Sequence, residues 1–287
     1  MQLCSAAVEV AGRIGQANTS LTPAERRVAE VVLTRPQLVA FGTVAELAEA
    51  AGAGAATVVR LATKLGYDGF TTLQASVQDD LGRQLRPAAE RIREPAGNDA
   101  IHRHLQVELD NVRVSLESLT PTALADVVSR IADRRCHVSV LSGDASMGVA
   151  QQFLADLAAL RNNVSMMAGN EVSVQRQIAL LEPDDIVVSL DLRRYDRWVV
   201  DAARSINAGG TMIVAITDSL LSPLAAEATH TFVVSAAAVG PFDSQVGTLA
   251  VLNIIVTGVA DRLRSNASER LDRVEAAWIS TGALVDR

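Results

Sequence analysis

Lysine is all but missing from this chain. Among 287 residues only Lys64 is a lysine, and every other basic side chain is arginine or histidine. Cysteine is nearly as scarce. Cys4 and Cys136 cannot frame a disulfide scaffold, and neither has a partner at CxxC spacing, so both are expected to be reduced and structural, with no metal site. Aromatic residues make up only 3%, which leaves the cores to Ala, Val, Leu and Ile. Long apolar runs are absent too. The longest, residues 249–260, is interrupted by Asn253 and Thr257 and is too short to span a bilayer. The opening residues, MQLCSAAVEVAGRIG, lack the basic start and sustained apolar stretch of a secretory signal. The expected location is therefore cytoplasmic, with no membrane partner. A net charge of −7 argues against nonspecific coating of nucleic acid, but one positive face would suffice for a site-specific binder.

What is present divides the chain. The length suits two domains, and hydrophobic periodicity changes along it. Thr22-Pro23-Ala24-Glu25 reads as a helix start, with Thr22 as cap, Pro23 in the first turn and Glu25 completing a capping box. Val28, Val31 and Val32 follow at helical spacing until Arg35-Pro36. Thr43 and Glu46 supply a second capping box. Gly52 relieves a tight turn, and the next helix is predicted from about Ala55 to Leu65. Tyr67 and Phe70 are placed to close a small core, and a further helix runs from Thr71 to Leu81. Residues 82–98 lose periodicity and read as a partly helical connection. Helices over 99–119 and 121–133 lead onward. Short β-branched runs then alternate with helical patterns, as in HVSVL, VSMMA, DIVVSL, TMIVAIT and HTFVVS. Apolar strands with few polar alternates indicate a parallel sheet covered on both faces, which binds ligands at its carboxyl edge. A helix is expected at Pro223–Ala226, and an amphipathic tail helix of unknown partner over 268–285.

Two short helices pinched by glycine, VAELAEAAGAGAATVVRLATKLGYDGF, have the form of a helix-turn-helix. Its second helix would present Gly54, Ala55, Thr57, Arg60, Thr63 and Lys64 to DNA. Arg60 suits a guanine edge or a phosphate, and Lys64 a phosphate. The plainer reading is a helical hairpin with a solvated polar face, and spacing alone does not separate the two.

From Leu21 to Leu81 the pieces LTPAERRVAEVVL, TVAELAEAAG, ATVVRLATKLGYDGF and LQASV resemble, in order and spacing, the N-terminal domain of the RpiR family of bacterial transcriptional regulators. Where that family commonly has a serine cap and a larger residue, this chain has Gly54 and Ala55. Residues from about 123 to 263 resemble the sugar-isomerase (SIS) domain with which the family senses phosphosugars. The resemblance implies an all-α helix-turn-helix domain over 1–82 and a linker with connecting helix over 83–120. It further implies a three-layer αβα SIS domain with a five-stranded parallel sheet over 121–264, then a C-terminal amphipathic helix over 265–287. The loop SGDASMGVA matches the family's first ligand turn and nominates Ser142, Gly143, Asp144 and Ser146. The second loop departs from the serine-x-serine-glycine-x-threonine pattern. Ser189 is kept, Asp191 replaces the second serine, and Arg193, Arg194 and Tyr195 follow. Either the arginines take over anion binding, or the ligand is not a phosphosugar at all; the plainer reading is that they pair with Asp191 and Asp196 to brace the loop. Asp243 and Ser244 precede the domain's last helix, where Asp243 either caps that helix or lines the pocket.

The resemblance implies an operator-binding homodimer or homotetramer that responds to a sugar-derived effector, without cofactor or catalytic residues. Two alternatives are an SIS-type isomerase and a regulator whose second domain serves only dimerisation. Isomerase chemistry needs a placed general base. His102, His104, His137 and His230 form no constellation with a carboxylate, and Glu171 stands alone.

Overall fold

The computed structural model describes residues 10, 13, 14, 17, 20–85, 87–93, 99–220 and 222–284. Cys4 lies outside them. The head begins with α1 (Pro23–Thr34), where the Glu25 N–H donates to Thr22 Oγ1 at 3.3 Å and the Thr22 N–H to Glu25 Oε2 at 2.8 Å. These two bonds satisfy donors that a helix start otherwise leaves orphaned. The chain turns at Arg35 into α2 (Pro36–Phe41). A second capping box on Thr43 and Glu46 opens α3 (Val44–Ala50). Gly52, at φ +55°, makes the turn into α4 (Ala55–Lys64), and α5 (Phe70–Leu85) completes the head. The run Thr57-Val58-Val59 in α4 is β-branched, costing about 0.5 kcal/mol per residue in helix propensity. Burial of Val58 and Leu61 in the head's core offsets this, at roughly 1.5–3 kcal/mol each. Tyr67 and Phe70 close the same core.

A four-residue helix, α6 (Ala88–Arg91), lies in the connection. The long α7 (Ala100–Glu117) and α8 (Pro121–Ala132) precede the sheet. The sheet alternates with helices in chain order. β1 (Val138–Ser142) leads to α9 (Met147–Leu160), β2 (Val164–Met166) to α10 (Glu171–Ala179), and β3 (Ile186–Leu190) to α11 (Arg197–Ala208). β4 (Met212–Thr217) is followed by a single 3-10 turn at Ala225–Glu227, where the sequence predicts a helix, and then by β5 (His230–Val233). All pairings are parallel, in the order β2-β1-β3-β4-β5. β3 is buried along its whole length. Ile186, Val188 and Leu190 face the layer of α8, α9 and α12 (Val246–Arg262), while Val187 faces α10 and α11. That double burial is what the near-absence of polar alternates in DIVVSL anticipates.

The tail helix α13 begins at Arg264, earlier than the sequence suggests, after a sharp bend from α12. Its partner is α9: Ala267 joins the sheet domain's core, and Arg270 Nε donates to the Ala158 carbonyl at 3.0 Å. Cys136 is buried and donates to the Arg130 and Asp133 carbonyls. Among the described residues no single helix is long and apolar enough to cross a membrane.

Candidate DNA-reading helix and effector site

The second helix of the predicted helix-turn-helix is α4, and its entry is bare. Gly54 is the N-cap residue, makes no side-chain cap bond, and is exposed together with Ala55. The first amides of the helix are therefore open to an approaching phosphate. Arg60 is exposed, as is Thr63, whose hydroxyl donates back to the Val59 carbonyl at 3.1 Å. Two expectations need correction. Thr57 is only 7% exposed; it faces the core and accepts a 3.1 Å hydrogen bond from Arg60 Nη2. Lys64 does not extend freely from the helix. Its ammonium pairs with Glu25 Oε2 at 3.0 Å and donates to the Ser20 carbonyl, tying α4 to the start of α1. The Thr22 N–H above all, then the Lys64 ammonium and the Thr22 hydroxyl, hold the Glu25 carboxyl below its ordinary range.

In the second domain the strand order reverses between β1 and β3, opening a crevice at their carboxyl ends. The first loop turns at Gly143, whose N–H donates to the Leu190 carbonyl at 2.9 Å. Ser142 Oγ donates to the Gly143 carbonyl, and a 3-10 turn at Asp144–Ser146 precedes α9. Ser146 is the buried N-cap residue of α9 but makes no cap bond; Gln245 Nε2 reaches its hydroxyl at 3.3 Å and the Ala145 carbonyl at 3.1 Å. Gln245 was not anticipated. It stands at the N-cap of α12, and only the fold brings it across to the first loop.

The second loop folds inward. Asp191 is 3% exposed and lies so close to Gly143 that a Cβ there would sit 2.4 Å from Asp191 Oδ1. Its Oδ2 accepts the Asp196 N–H at 2.7 Å, and Asp196 Oδ2 accepts the Asp144 N–H at 2.8 Å. The two carboxylates thus lace both loops together. Burial outweighs the N–H that Asp191 accepts and, with the charges of Asp196 and Asp218 adding, pushes its carboxyl up to about 7. Tyr195 donates to Asp218 Oδ1 at 3.0 Å, and burial raises the pKa of both groups.

Neither arginine of this loop pairs with Asp191 or Asp196 in the described contacts, so the bracing reading is corrected. Arg193 instead contacts Asp243 Oδ1 at 2.8 Å and donates to the Ala236 carbonyl at 2.9 Å. Arg91, from α6, contacts the same Asp243 oxygen at 2.6 Å. Asp243 is therefore an arginine partner and not a helix cap. Arg194 is exposed, with φ at +67°. Ser244 donates to Glu108 Oε2 at 2.6 Å, joining the loop to α7.

Buried side-chain atoms without a hydrogen-bond partner gather at this same edge. They include Ser189 Oγ, Gln245 Oε1, Thr248 Oγ1 and the Nε atoms of Arg91 and Arg193. Buried polar groups are normally paired, so these atoms have bonding capacity left for water or a polar ligand. A cleft of about 480 Å³ opens nearby between α10 and α11, lined by Gly169, Glu171, Gln175, Arg197, Trp198 and Asp201. The histidines are elsewhere occupied: His137 meets Ser165, His230 meets Asp126, and His104 lies near Glu108. His102 is exposed on α7.

Residues 8–84 match the helix-turn-helix domain of the rpiR family, and residues 131–258 match the SIS domain. The chain belongs to the RpiR family. It is similar to the HTH-type transcriptional regulator HexR of Pseudomonas aeruginosa, at 27% identity over 93% of this chain and 94% of that one. Among solved structures, the sugar isomerase domain of an RpiR transcription factor from Sphaerobacter thermophilus covers 61% of this chain and 97% of its own, with TM-score 0.56 and 29% identity. NanR of Vibrio vulnificus, solved with ManNAc-6P, covers 93% and 97%, with TM-score 0.55 and 19% identity, which supports the fold alone. This RpiR-type chain is a transcriptional regulator with a helix-turn-helix head and an SIS domain.

Proposed function

We propose that the head reads operator DNA through the open start of α4, and that the SIS domain binds a small sugar-derived anion that changes operator affinity. The observation that carries the effector half is the gathering of unpartnered buried polar atoms at the carboxyl edge of β1 and β3. NanR, which has the same fold, was solved with ManNAc-6P, and the ligand class proposed here is taken from it by analogy. We assign Gly54, Ala55, Arg60 and Thr63 to the DNA face. Ser142, Gly143, Asp144, Ser146, Ser189 and Arg193 go to the effector edge, with Gln245 added. Two copies would present two recognition helices to a two-fold operator.

Binding without turnover is part of this reading. His137 and His230 lie at the amino ends of β1 and β5, away from the carboxyl edge, and Glu171 sits exposed in the first turn of α10, where a carboxylate serves the helix dipole. NMR of the protein with sugar phosphates should show no product; steady conversion of any of them would restore the isomerase reading. For the head, Arg60→Ala should weaken operator binding about tenfold or more. Unchanged affinity in a footprinting titration would remove α4 from the interface.

A further inference from the structure

The ion cluster on Asp243 is unbalanced. Arg91 Nη1 and Arg193 Nη2 converge on the same oxygen, Asp243 Oδ1, at 2.6 and 2.8 Å. Two guanidiniums thus share one carboxylate, and the Nε of each is buried without a partner. A guanidinium carries its donors in a fixed planar fork matched to oxyanions. Asp218 also lies within electrostatic reach of Arg193, and burial raises its pKa. Meanwhile two acidic side chains crowd the first loop. Asp191 fills the space against Gly143, and Asp196 already takes the Asp144 N–H.

We propose that Arg91 and Arg193 form the anion-binding fork of the effector site, and that Asp243 is an internal stand-in displaced by the carboxylate or phosphate of the effector. The inference rests on the reading of the strand-end edge as an effector site and says which atoms take the charge. It also supplies a route for the signal. Arg91 belongs to α6, in the segment joining head to SIS domain, so occupancy of the fork changes what holds that segment in place. Coupling requires a group that both sites feel, and Arg91 is that group.

The test uses the full chain and three anions: inorganic phosphate, gluconate and glucose 6-phosphate, with glucose as the uncharged control. Calorimetric titration and thermal shift are run on wild type, Arg91→Gln, Arg193→Gln and Asp243→Asn, each checked for an intact thermal transition without ligand. At least one anion should bind wild type while glucose does not. R91Q and R193Q should each weaken that anion by about tenfold or more, since each removes one charged fork. D243N should strengthen it several-fold, because the competing carboxylate is gone; a gain of this kind cannot come from misfolding. In wild type the anion should change operator affinity, and in R91Q it should not. If no anion binds wild type, the effector reading falls and the fork with it. If an anion binds R91Q and R193Q with wild-type affinity, or D243N fails to strengthen it, the fork falls while the effector site stands.

Discussion

Asp191 stands in the second loop where the resemblance leads one to expect a serine, and its titration is the measurable consequence. An unfolded aspartate ionises near 4, whereas burial pushes this one up to about 7. Between those values the folded state keeps a proton that the unfolded state has lost. Its contribution to stability is thus fully present below about pH 4 and lost as pH rises toward 7. Asp191→Asn keeps an oxygen for the Asp196 N–H but cannot ionise. It should be more stable than wild type at pH 8 by roughly 1–3 kcal/mol and nearly equal at about pH 3.5. Urea unfolding at both values decides, and a wild-type pH slope in D191N would take Asp191 out of this role. Lys64 gives a second residue-scale expectation. Its ion pair with the nearly buried Glu25 predicts that Lys64→Met costs the head about 1 kcal/mol and leaves the salt dependence of operator binding unchanged. A salt slope reduced by about one charge, with stability intact, would return Lys64 to the phosphates.

The helices α12 and α7 cross closely at Gly247. A Cβ on Gly247 would lie 2.5 Å from both Ser115 Oγ and the Ser235 carbonyl, and the second of these is backbone that cannot rotate away. Around it Asn111, fully buried, donates to the Ala237 carbonyl at 2.8 Å and accepts from Ser235 Oγ and the Ala237 N–H. Gly247→Ala should therefore destabilise the SIS domain by about 1–3 kcal/mol through overpacking, readable as a lowered thermal midpoint. An unchanged midpoint would mean that α7 can yield. The helices themselves were legible in advance, because their signals are local: Thr22 with Glu25, Thr43 with Glu46, and Gly52 at the turn are all formed as their spacing implies. The 3-10 turn at Ala225–Glu227 was misjudged, since no apolar stripe there is long enough to sustain an α-helix.

The whole molecule carries an exposed apolar line along one helix. Ile101, Leu105 and Leu109, spaced one helical turn apart along α7, are exposed at 87%, 51% and 56%. Contiguous apolar exposure of this kind marks an association surface. Sedimentation equilibrium should give at least twice the 30.3 kDa chain mass, and Leu105→Glu should shift the chain toward monomer and weaken operator binding. A monomeric wild type that still footprints a symmetric site would remove α7 from assembly.

By itself the sequence determined most of the order of helices and strands, because capping, periodicity and strand composition act between residues close in the chain; the family followed from the resemblance of whole segments. Only the tertiary structure decided where the polar chemistry meets. Thr57 turns inward, Lys64 is held by Glu25, and Gln245 reaches Ser146 across 99 positions. Arg91 closes on Asp243 over 152. Such partnerships depend on which side of an element faces its neighbour and on how deeply a charge is withdrawn from water. Both are properties of packing, and no local pattern encodes them.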